Sequence, residues 1–215
     1  MGRTQIASDT FGSDDLAANW TQYTSSGGSG TLTIAAGVMS GTWISGDNCG
    51  VWKGAGTFAN DTYSSGTIAT APSAGAEVGI TLRDTSTATN RHRYLYTADA
   101  AGYNAFVKHV NDVYTEMDAL NTTTTYASND TIEAEVEGTG ATFKFRQFKN
   151  GTQQRQITPS DSAHTAGKGG VNFFKATGTF TAWEAGDWAA AAAANLGAKM
   201  IRRGRPTMNM GTVAS

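Results

Sequence analysis

Three glutamates alternate along one short segment, in the order Glu133-Ala134-Glu135-Val136-Glu137. Alternate residues of a β-strand point to the same face of a sheet, so these carboxylates would lie side by side if the segment is a strand. Retaining hydrolysis of a glycosidic bond needs two carboxylates about 5–5.5 Å apart, one as nucleophile and one as proton donor. The spacing is therefore compatible with the carboxylate pair of a glycosidase.

A second interpretation assigns the same glutamates to a solvated strand face. If Thr139 and Gly140 form a two-residue turn, antiparallel register places Glu135 opposite Lys144 and Glu133 opposite Arg146. Opposite-charge cross-strand pairs of this kind contribute about 0.2–1 kcal/mol each. The same register turns the apolar side chains toward a core, namely Ile132, Ala134, Val136, Phe143 and Phe145. Because one register explains both faces, we favour the solvated face and expect no catalytic residue and no enzymatic activity.

Basic and aromatic side chains are concentrated in a second region. Arg91, Arg93, Tyr94 and Tyr96 occupy one segment, and Tyr103 begins the next. Aromatic rings stack on sugar faces and arginine binds carboxylates in a bidentate manner, so these five residues form a candidate glycan-binding site. The alternative is that the tyrosines are ordinary strand residues with solvated hydroxyls.

The sequence offers few metal ligands. The three histidines, His92, His109 and His164, do not have zinc-ligand spacing and are expected on the surface. The single Cys49 excludes an internal disulfide and any Cys-x-x-Cys site. We therefore expect no cofactor. A structural Ca²⁺ is the alternative to turn-capping roles for a set of acids, namely Asp9, Asp14, Asp15, Glu184 and Asp187.

Short segments rich in β-formers must position these side chains. Strand-like segments separated by turn residues recur along the chain, as is typical of an all-β sandwich. Asn150-Gly151 predicts a type I′ turn that closes a hairpin onto Gln153–Ile157. The predicted strands are Thr31–Ala35, Val38–Trp43, Gly66–Ala71, Glu77–Arg83, Arg91–Thr97, Tyr103–Val110, Val113–Leu120, Thr131–Glu137, Thr142–Lys149, Gly170–Lys175 and Thr179–Glu184.

Several of these segments resemble the motifs of concanavalin A-like (laminin-G-like) jelly-roll domains. Asp9–Phe11 with Leu16–Trp20 is similar to their opening segment, Glu77–Arg83 to an inner strand, and Phe180–Asp187 to the closing strand. The resemblance covers about residues 8–187 and implies two antiparallel sheets with the first and last strands adjacent. Laminarinase-like glycosidases of this fold carry a central Asp in their acidic motif, where this chain has Glu135.

The charge changes sign near the end of the chain. Residues 1–187 carry 12 Lys and Arg against 18 Asp and Glu, whereas residues 188–215 carry four basic residues and no acid. The alanine run 189–194 favours a helix that needs a surface to lie on. We therefore expect an N-terminal arm at 1–7, a jelly-roll sandwich at 8–187, and an extended or partly helical arm at 188–215. The docking residues of the second arm would be Trp188, Lys199, Met200, Ile201, Arg202, Arg203 and Arg205.

A jelly roll with a short basic tail is similar to accessory virion proteins of tailed bacteriophages. This resemblance implies a structural or decoration protein of a phage particle, with a capsid or tail protein as partner and a homo-oligomeric state such as a trimer. The chain shows no signal segment and no membrane-spanning run, so it would be made in the host cytoplasm and located in the virion. The net charge of −2 predicts no specific nucleic-acid binding. A carbohydrate-binding module is the alternative function, and a glycosidase is a further one.

Overall fold

A computed structural model describes residues 2–12, 16–24, 29–45, 47–87, 90–118, 124–175 and 177–189. These residues form an all-β sandwich of two antiparallel sheets, which confirms the predicted fold class. The short helix α1 spans Leu16–Asn19. The strands are β1 Gly2–Asp9, β2 Trp20–Thr24, β3 Ser29–Ala35, β4 Val38–Ser45, β5 Asp47–Trp52, β6 Thr62–Thr70, β7 Glu77–Asp84, β8 Arg93–Ala98, β9 Asn104–Val110, β10 Val113–Glu116, β11 Thr131–Glu137, β12 Lys144–Lys149, β13 Thr152–Ile157, β14 Lys168–Phe174 and β15 Thr179–Ala189.

The two sheets have distinct strand orders. Sheet A runs β13-β12-β11-β6-β15-β4-β3, with β1 also paired to β15, and sheet B runs β10-β9-β8-β7-β14-β5-β2. Hairpins join some neighbouring strands, such as β11-β12 and β8-β9, whereas others, such as β6-β15 and β7-β14, are far apart in sequence. No helix among the described residues is long and apolar enough to span a bilayer.

The core lies between the sheets and follows the alternation of the strands. Ile132, Ala134 and Val136 on β11 face Val78 and Ile80 on β7 across the same buried cluster. One end of this core is aromatic, since the indole rings of three tryptophans meet there, with centroid distances of 4.8, 5.6 and 5.5 Å for the pairs Trp20–Trp183, Trp20–Trp52 and Trp52–Trp183. Edge and stacked contacts of this kind stabilise beyond simple area burial.

The first and last strands are adjacent, as the jelly-roll resemblance implies. Strand β1 pairs antiparallel with β15 from Gly2 opposite Ala189 to Asp9 opposite Trp183. The backbones approach closely, because a Cβ built on Gly186 would lie 2.0 Å from the Thr4 carbonyl oxygen. The expected N-terminal arm at 1–7 is thus corrected: residues 2–7 belong to an edge strand whose backbone groups pair with the last strand.

Two hairpins test the predicted turns. Asn150 and Gly151 both have positive φ, 50° and 73°, and join β12 to β13 as predicted. The predicted two-residue turn at Thr139-Gly140 is wrong, because a six-residue loop at 138–143 separates β11 from β12. Gly140 in this loop exchanges backbone hydrogen bonds with Asp161, a tertiary contact that holds the longer loop.

Candidate functional site on the outer face of sheet A

The alternating glutamates lie on the outer face of β11, opposite the core residues. The longer loop shifts the register by two residues, so Glu135 faces Arg146 and Glu137 faces Lys144. Glu133 and Glu135 are only 4% and 1% exposed, so the prediction of a solvated face is wrong for these two residues. Their burial is accompanied by a cation from the first strand, which the sequence pattern does not reveal.

That cation is Arg3, which reaches from β1 across β15 and β6 to β11. Arg3 Nη1 donates to Glu133 Oε2 at 2.7 Å, and Nη2 also donates to Glu133 Oε1. Arg3 Nη2 and Nε both donate to Glu135 Oε1, at 2.7 and 3.1 Å. One guanidinium therefore bridges two carboxylates, with a bidentate bond to Glu133, the strong form of charge-assisted hydrogen bond.

Aromatic rings hold the guanidinium groups in place. The Arg3 guanidinium lies 5.2 Å from the Tyr63 ring centroid and 5.4 Å from that of Phe148. The guanidinium of Arg146 lies 4.6 Å from the Trp188 ring centroid. These contacts are within cation–π range, so they restrict where each guanidinium can point.

The three glutamates of β11 differ in the direction of their pKa shifts. Burial raises the pKa of Glu133 and of Glu135, although the hydrogen bonds from Arg3 act in the opposite direction. The pKa of Glu137 is lowered, because hydrogen bonds from Arg146 and Lys144 outweigh its desolvation, which acts upward. Burial also raises the pKa of the nearby Tyr63 to about 12. The outer face therefore disfavours further negative charge at its centre.

Arg146 has one nitrogen without a hydrogen-bond partner. Its Nε donates to Gln156 Oε1 at 2.9 Å and its Nη2 donates to Glu137 Oε2. Arg146 is 7% exposed, and its buried Nη1 forms no hydrogen bond with the residues that the structure describes. Nη1 lies 3.7 Å from Glu135 Oε2, which is too long for a hydrogen bond.

Two grooves lie on this outer face. The first has a volume of about 380 Å³ and is lined by Arg3, Glu135, Arg146, Phe148, Gly151, Gln153 and Trp188. The second, of about 370 Å³, is lined by hydroxyl, amide and carboxylate groups together with Ala182 and Trp183, and its polar residues are Gln5, Ser8, Asp9, Thr10, Ser65, Thr67, Thr131 and Glu184. Both grooves present hydrogen-bond donors and acceptors at close spacing, which suits recognition of a polyhydroxylated ligand.

The structure separates the basic and aromatic residues predicted to bind a glycan. Tyr94 and Tyr96 are fully buried and point into the core, where the hydroxyl of Tyr94 bonds to Asp161 and that of Tyr96 bonds to Asn104. Arg93 is also fully buried but lies on the opposite face of β8. The prediction of a glycan-accessible surface at these three residues is therefore wrong, because β8 is a central strand buried on both faces.

Of the other two members of that prediction, Arg91 is buried, at 7% exposure, and Tyr103 is partly exposed. The Arg91 guanidinium is bound to Asp112, with Nε 2.6 Å from Oδ1. Tyr103 is partly exposed, and its hydroxyl lies 3.2 Å from that of Tyr114, which is 48% exposed at the edge of sheet B. The five predicted residues therefore do not form one accessible site, because four of them are buried.

Histidines and acids show no metal centre among the described residues. His109 and His164 are buried, which corrects their predicted surface position, and His164 Nε2 lies 2.7 Å from the His109 carbonyl oxygen. Asp9 caps a turn, since its carboxylate accepts from the Phe11 N–H at 2.7 Å and the Trp20 indole at 2.8 Å. Asp14 and Asp15 lie outside the described residues.

The first two residues of the predicted C-terminal arm, Trp188 and Ala189, belong to the last strand. Trp188 is 3% exposed within β15, and its N–H donates to the Asp61 carbonyl oxygen at 3.0 Å. It is thus part of the sandwich. The remaining predicted docking residues of the arm lie outside the described residues, namely Lys199, Met200, Ile201, Arg202, Arg203 and Arg205.

Comparison with known proteins finds structures that share the fold, but no protein that matches in sequence. No protein-family model and no curated protein sequence matches the chain. Among solved structures, the carbohydrate-binding module CBM66 from Bacillus subtilis aligns with a TM-score of 0.53 at 20% identity, covering 79% of this chain and 92% of the module. The potassium-bound carbohydrate recognition domain of Emp46p gives 0.54 at 6% identity, covering 83% and 94%.

An enzyme shares the same architecture. The endo-β-1,3-glucanase from Pyrococcus furiosus aligns with a TM-score of 0.58 at 10% identity, covering 88% of this chain and 96% of the glucanase. At such low identity these likenesses describe the arrangement of strands alone. Together with the sheet topology, they establish that this chain has a concanavalin A-like jelly-roll fold.

Proposed function

We propose that this chain is a non-catalytic carbohydrate-binding module that holds a glycan in the grooves on the outer face of sheet A. The observation that carries the proposal is the convergence of buried, oriented polar groups on one groove, above all Arg146 Nη1, which has no hydrogen-bond partner among the described residues and lies 3.7 Å from Glu135 Oε2. The fold supports the proposal, because structures named as a carbohydrate-binding module and a carbohydrate recognition domain share it.

The chemistry of the groove suits sugar hydroxyls. A hydroxyl both donates and accepts a hydrogen bond, and the groove offers guanidinium donors, a carboxylate acceptor and the Gln153 amide. The guanidinium groups of Arg3 and Arg146 are already oriented by rings and carboxylates, so little side-chain entropy is lost on binding. This preorganisation is what a binding site needs to gain affinity from polar contacts.

The test is binding to a panel of soluble polysaccharides by affinity electrophoresis and calorimetry. We expect Gln153→Ala to weaken binding about 3- to 10-fold and Arg146→Gln to weaken it further, since each removes a polar contact. Tyr114→Ala is the control, because it changes an exposed ring at the edge of sheet B. Unchanged binding by both groove variants, or loss of binding by Tyr114→Ala, would overturn the proposed location.

Attachment to a phage particle stays a prediction. The basic residues on which it depends follow residue 189 and lie outside the described residues. A glycan-binding sandwich carried by a virion would combine both functions, and a mass-spectrometric inventory of purified particles would test the attachment directly. Cross-linking within such particles would test the predicted capsid or tail partner, and the native mass of the purified chain would test the predicted homo-oligomer.

A further inference from the structure

A single hydroxyl group can bridge the gap of 3.7 Å between Glu135 Oε2 and Arg146 Nη1. The two residues are direct cross-strand partners on β11 and β12. Glu135 Oε1 accepts two bonds from Arg3, so Oε2 is the oxygen that faces Arg146. Because the two atoms are 3.7 Å apart, an oxygen beside them can lie about 2.8 Å from both Nη1 and Oε2.

We infer that the groove selects an uncharged sugar, one hydroxyl of which accepts from Arg146 Nη1 and donates to Glu135 Oε2. This inference rests on the proposed function and specifies its ligand class. A hydroxyl is the group that satisfies both atoms at once, because it carries one donor and two acceptor positions. A ligand carboxylate would satisfy Arg146 and leave two negative oxygens facing each other across the gap.

The charge of the site also favours a neutral ligand. Arg3 binds Glu133 and Glu135, and Arg146 and Lys144 bind Glu137, so three cations balance three carboxylates and each cation is already engaged. Burial already raises the pKa of Glu133 and Glu135. An additional anion in this desolvated face would repel both glutamates without a cation of its own.

The aromatic residues of the groove play a supporting role in this arrangement. The rings of Trp188 and Phe148 lie against the guanidinium groups of Arg146 and Arg3. They therefore hold the donors in position, and polar contacts carry the selection. A site of this kind discriminates between epimers and deoxy sugars more strongly than a stacking platform does, because a missing hydroxyl leaves buried polar atoms unpaired.

The experiment compares two matched variants with neutral and acidic polysaccharides. In Glu135→Gln the amide oxygen continues to accept from Arg3, which turns the NH₂ toward Arg146 and removes the acceptor. We expect neutral glucans and mannans to bind the wild type and to lose about 10- to 100-fold in affinity with Glu135→Gln. Glu116→Gln is the control, because it makes the same substitution at an exposed position of β10, on the edge of sheet B and away from the groove. Its affinity should change less than about twofold.

Wild-type protein and deoxy analogues of the bound oligosaccharide provide a test that does not depend on folding of a variant. One deoxy position should lose about tenfold or more in affinity, and all others should stay near the parent. Binding of polygalacturonate or alginate in preference to neutral glycans would overturn the inference and leave the proposed function standing. Equal affinity of all deoxy analogues would overturn it as well. Binding to no glycan would overturn both.

Discussion

Arg3 Nη1 lies 2.7 Å from Glu133 Oε2, so a side chain of the first strand pairs with one of the eleventh, 130 residues away in sequence. The pair spans four adjacent strands of sheet A, from β1 over β15 and β6 to β11. A single guanidinium thereby joins the chain terminus to the face that carries the candidate site. The stability of the protein and the geometry of the groove should therefore respond together to a change at Arg3.

Replacing Arg3 with Gln should lower the free energy of unfolding by about 2 kcal/mol at pH 7. The two carboxylates would remain buried without their shared cation, and the 34% exposure of the Arg3 side chain lets solvent screen part of the loss. Urea denaturation followed by tryptophan fluorescence measures the change. Arg3→Gln combined with Glu133→Gln and Glu135→Gln should recover most of the loss, whereas no recovery would show that the carboxylates are not the cause.

The sequence predicts a strand correctly where the side chains on one of its two faces are apolar. Ile132, Ala134 and Val136 alternate, and this alternation correctly predicts β11 and the inward face of its side chains. Asn150-Gly151 predicts its hairpin correctly, because the positive φ of a type I′ turn is a local requirement. These signals depend on neighbours in sequence, so they need no knowledge of the fold.

The candidate site could not be predicted from the sequence, because its residues lie on strands that are neighbours only in the order of the folded sheet. Arg3 belongs to a segment without a clear alternating pattern, and its partners on β11 are more than 125 residues away. The register of Glu135 was set by a loop whose length depends on Gly140 and Asp161, a tertiary contact. Tyr94 and Tyr96 were misplaced because β8 is buried on both faces, a property of central strands that tyrosine content does not reveal.

Truncation at either side of Trp188 should give two chains of different stability. A chain ending at Ala189 retains the buried indole and its contact with Arg146, whereas a chain ending at Asp187 loses both. Removal of a buried tryptophan costs about 3 kcal/mol or more, so the shorter chain should unfold at a clearly lower urea concentration. Equal midpoints for the two chains would contradict the assignment of Trp188 to the sandwich.

The wild-type chain should release no reducing ends from laminarin or from mixed-linkage β-glucan. Both oxygens of Glu133 bind Arg3, and Glu135 shares the same cation, so neither carboxylate is placed as a free nucleophile beside a free acid. A reducing-sugar assay over days at pH 5 and pH 7 checks this expectation. Turnover that disappears with Glu133→Gln and with Glu135→Gln would establish a glycosidase and refute the non-catalytic proposal.

Stability should fall as the pH decreases from 7 to 5, because of buried histidine. Burial, reinforced by the positive charges of Arg93 and Arg91 and by His164, lowers the pKa of His109 to about 2. The folded state thus keeps His109 neutral, while the unfolded chain gains a proton near pH 6.5. The contribution of His109 to the free energy of unfolding is therefore complete above pH 6.5. It is lost progressively below that pH, and the loss reaches about 2 kcal/mol at pH 5.

His109→Asn isolates this contribution from the other titrating groups. The asparagine oxygen can accept from Arg93 Nε in place of His109 Nδ1, which lies 3.4 Å from it, and it does not titrate. His164, whose pKa is also lowered by burial, and the raised carboxyls Glu133 and Glu135 titrate equally in both proteins. Urea denaturation at pH 7, 6 and 5 should therefore show a smaller loss of stability in His109→Asn than in the wild type. Parallel losses in the two proteins would show that His109 accepts a proton in the folded state.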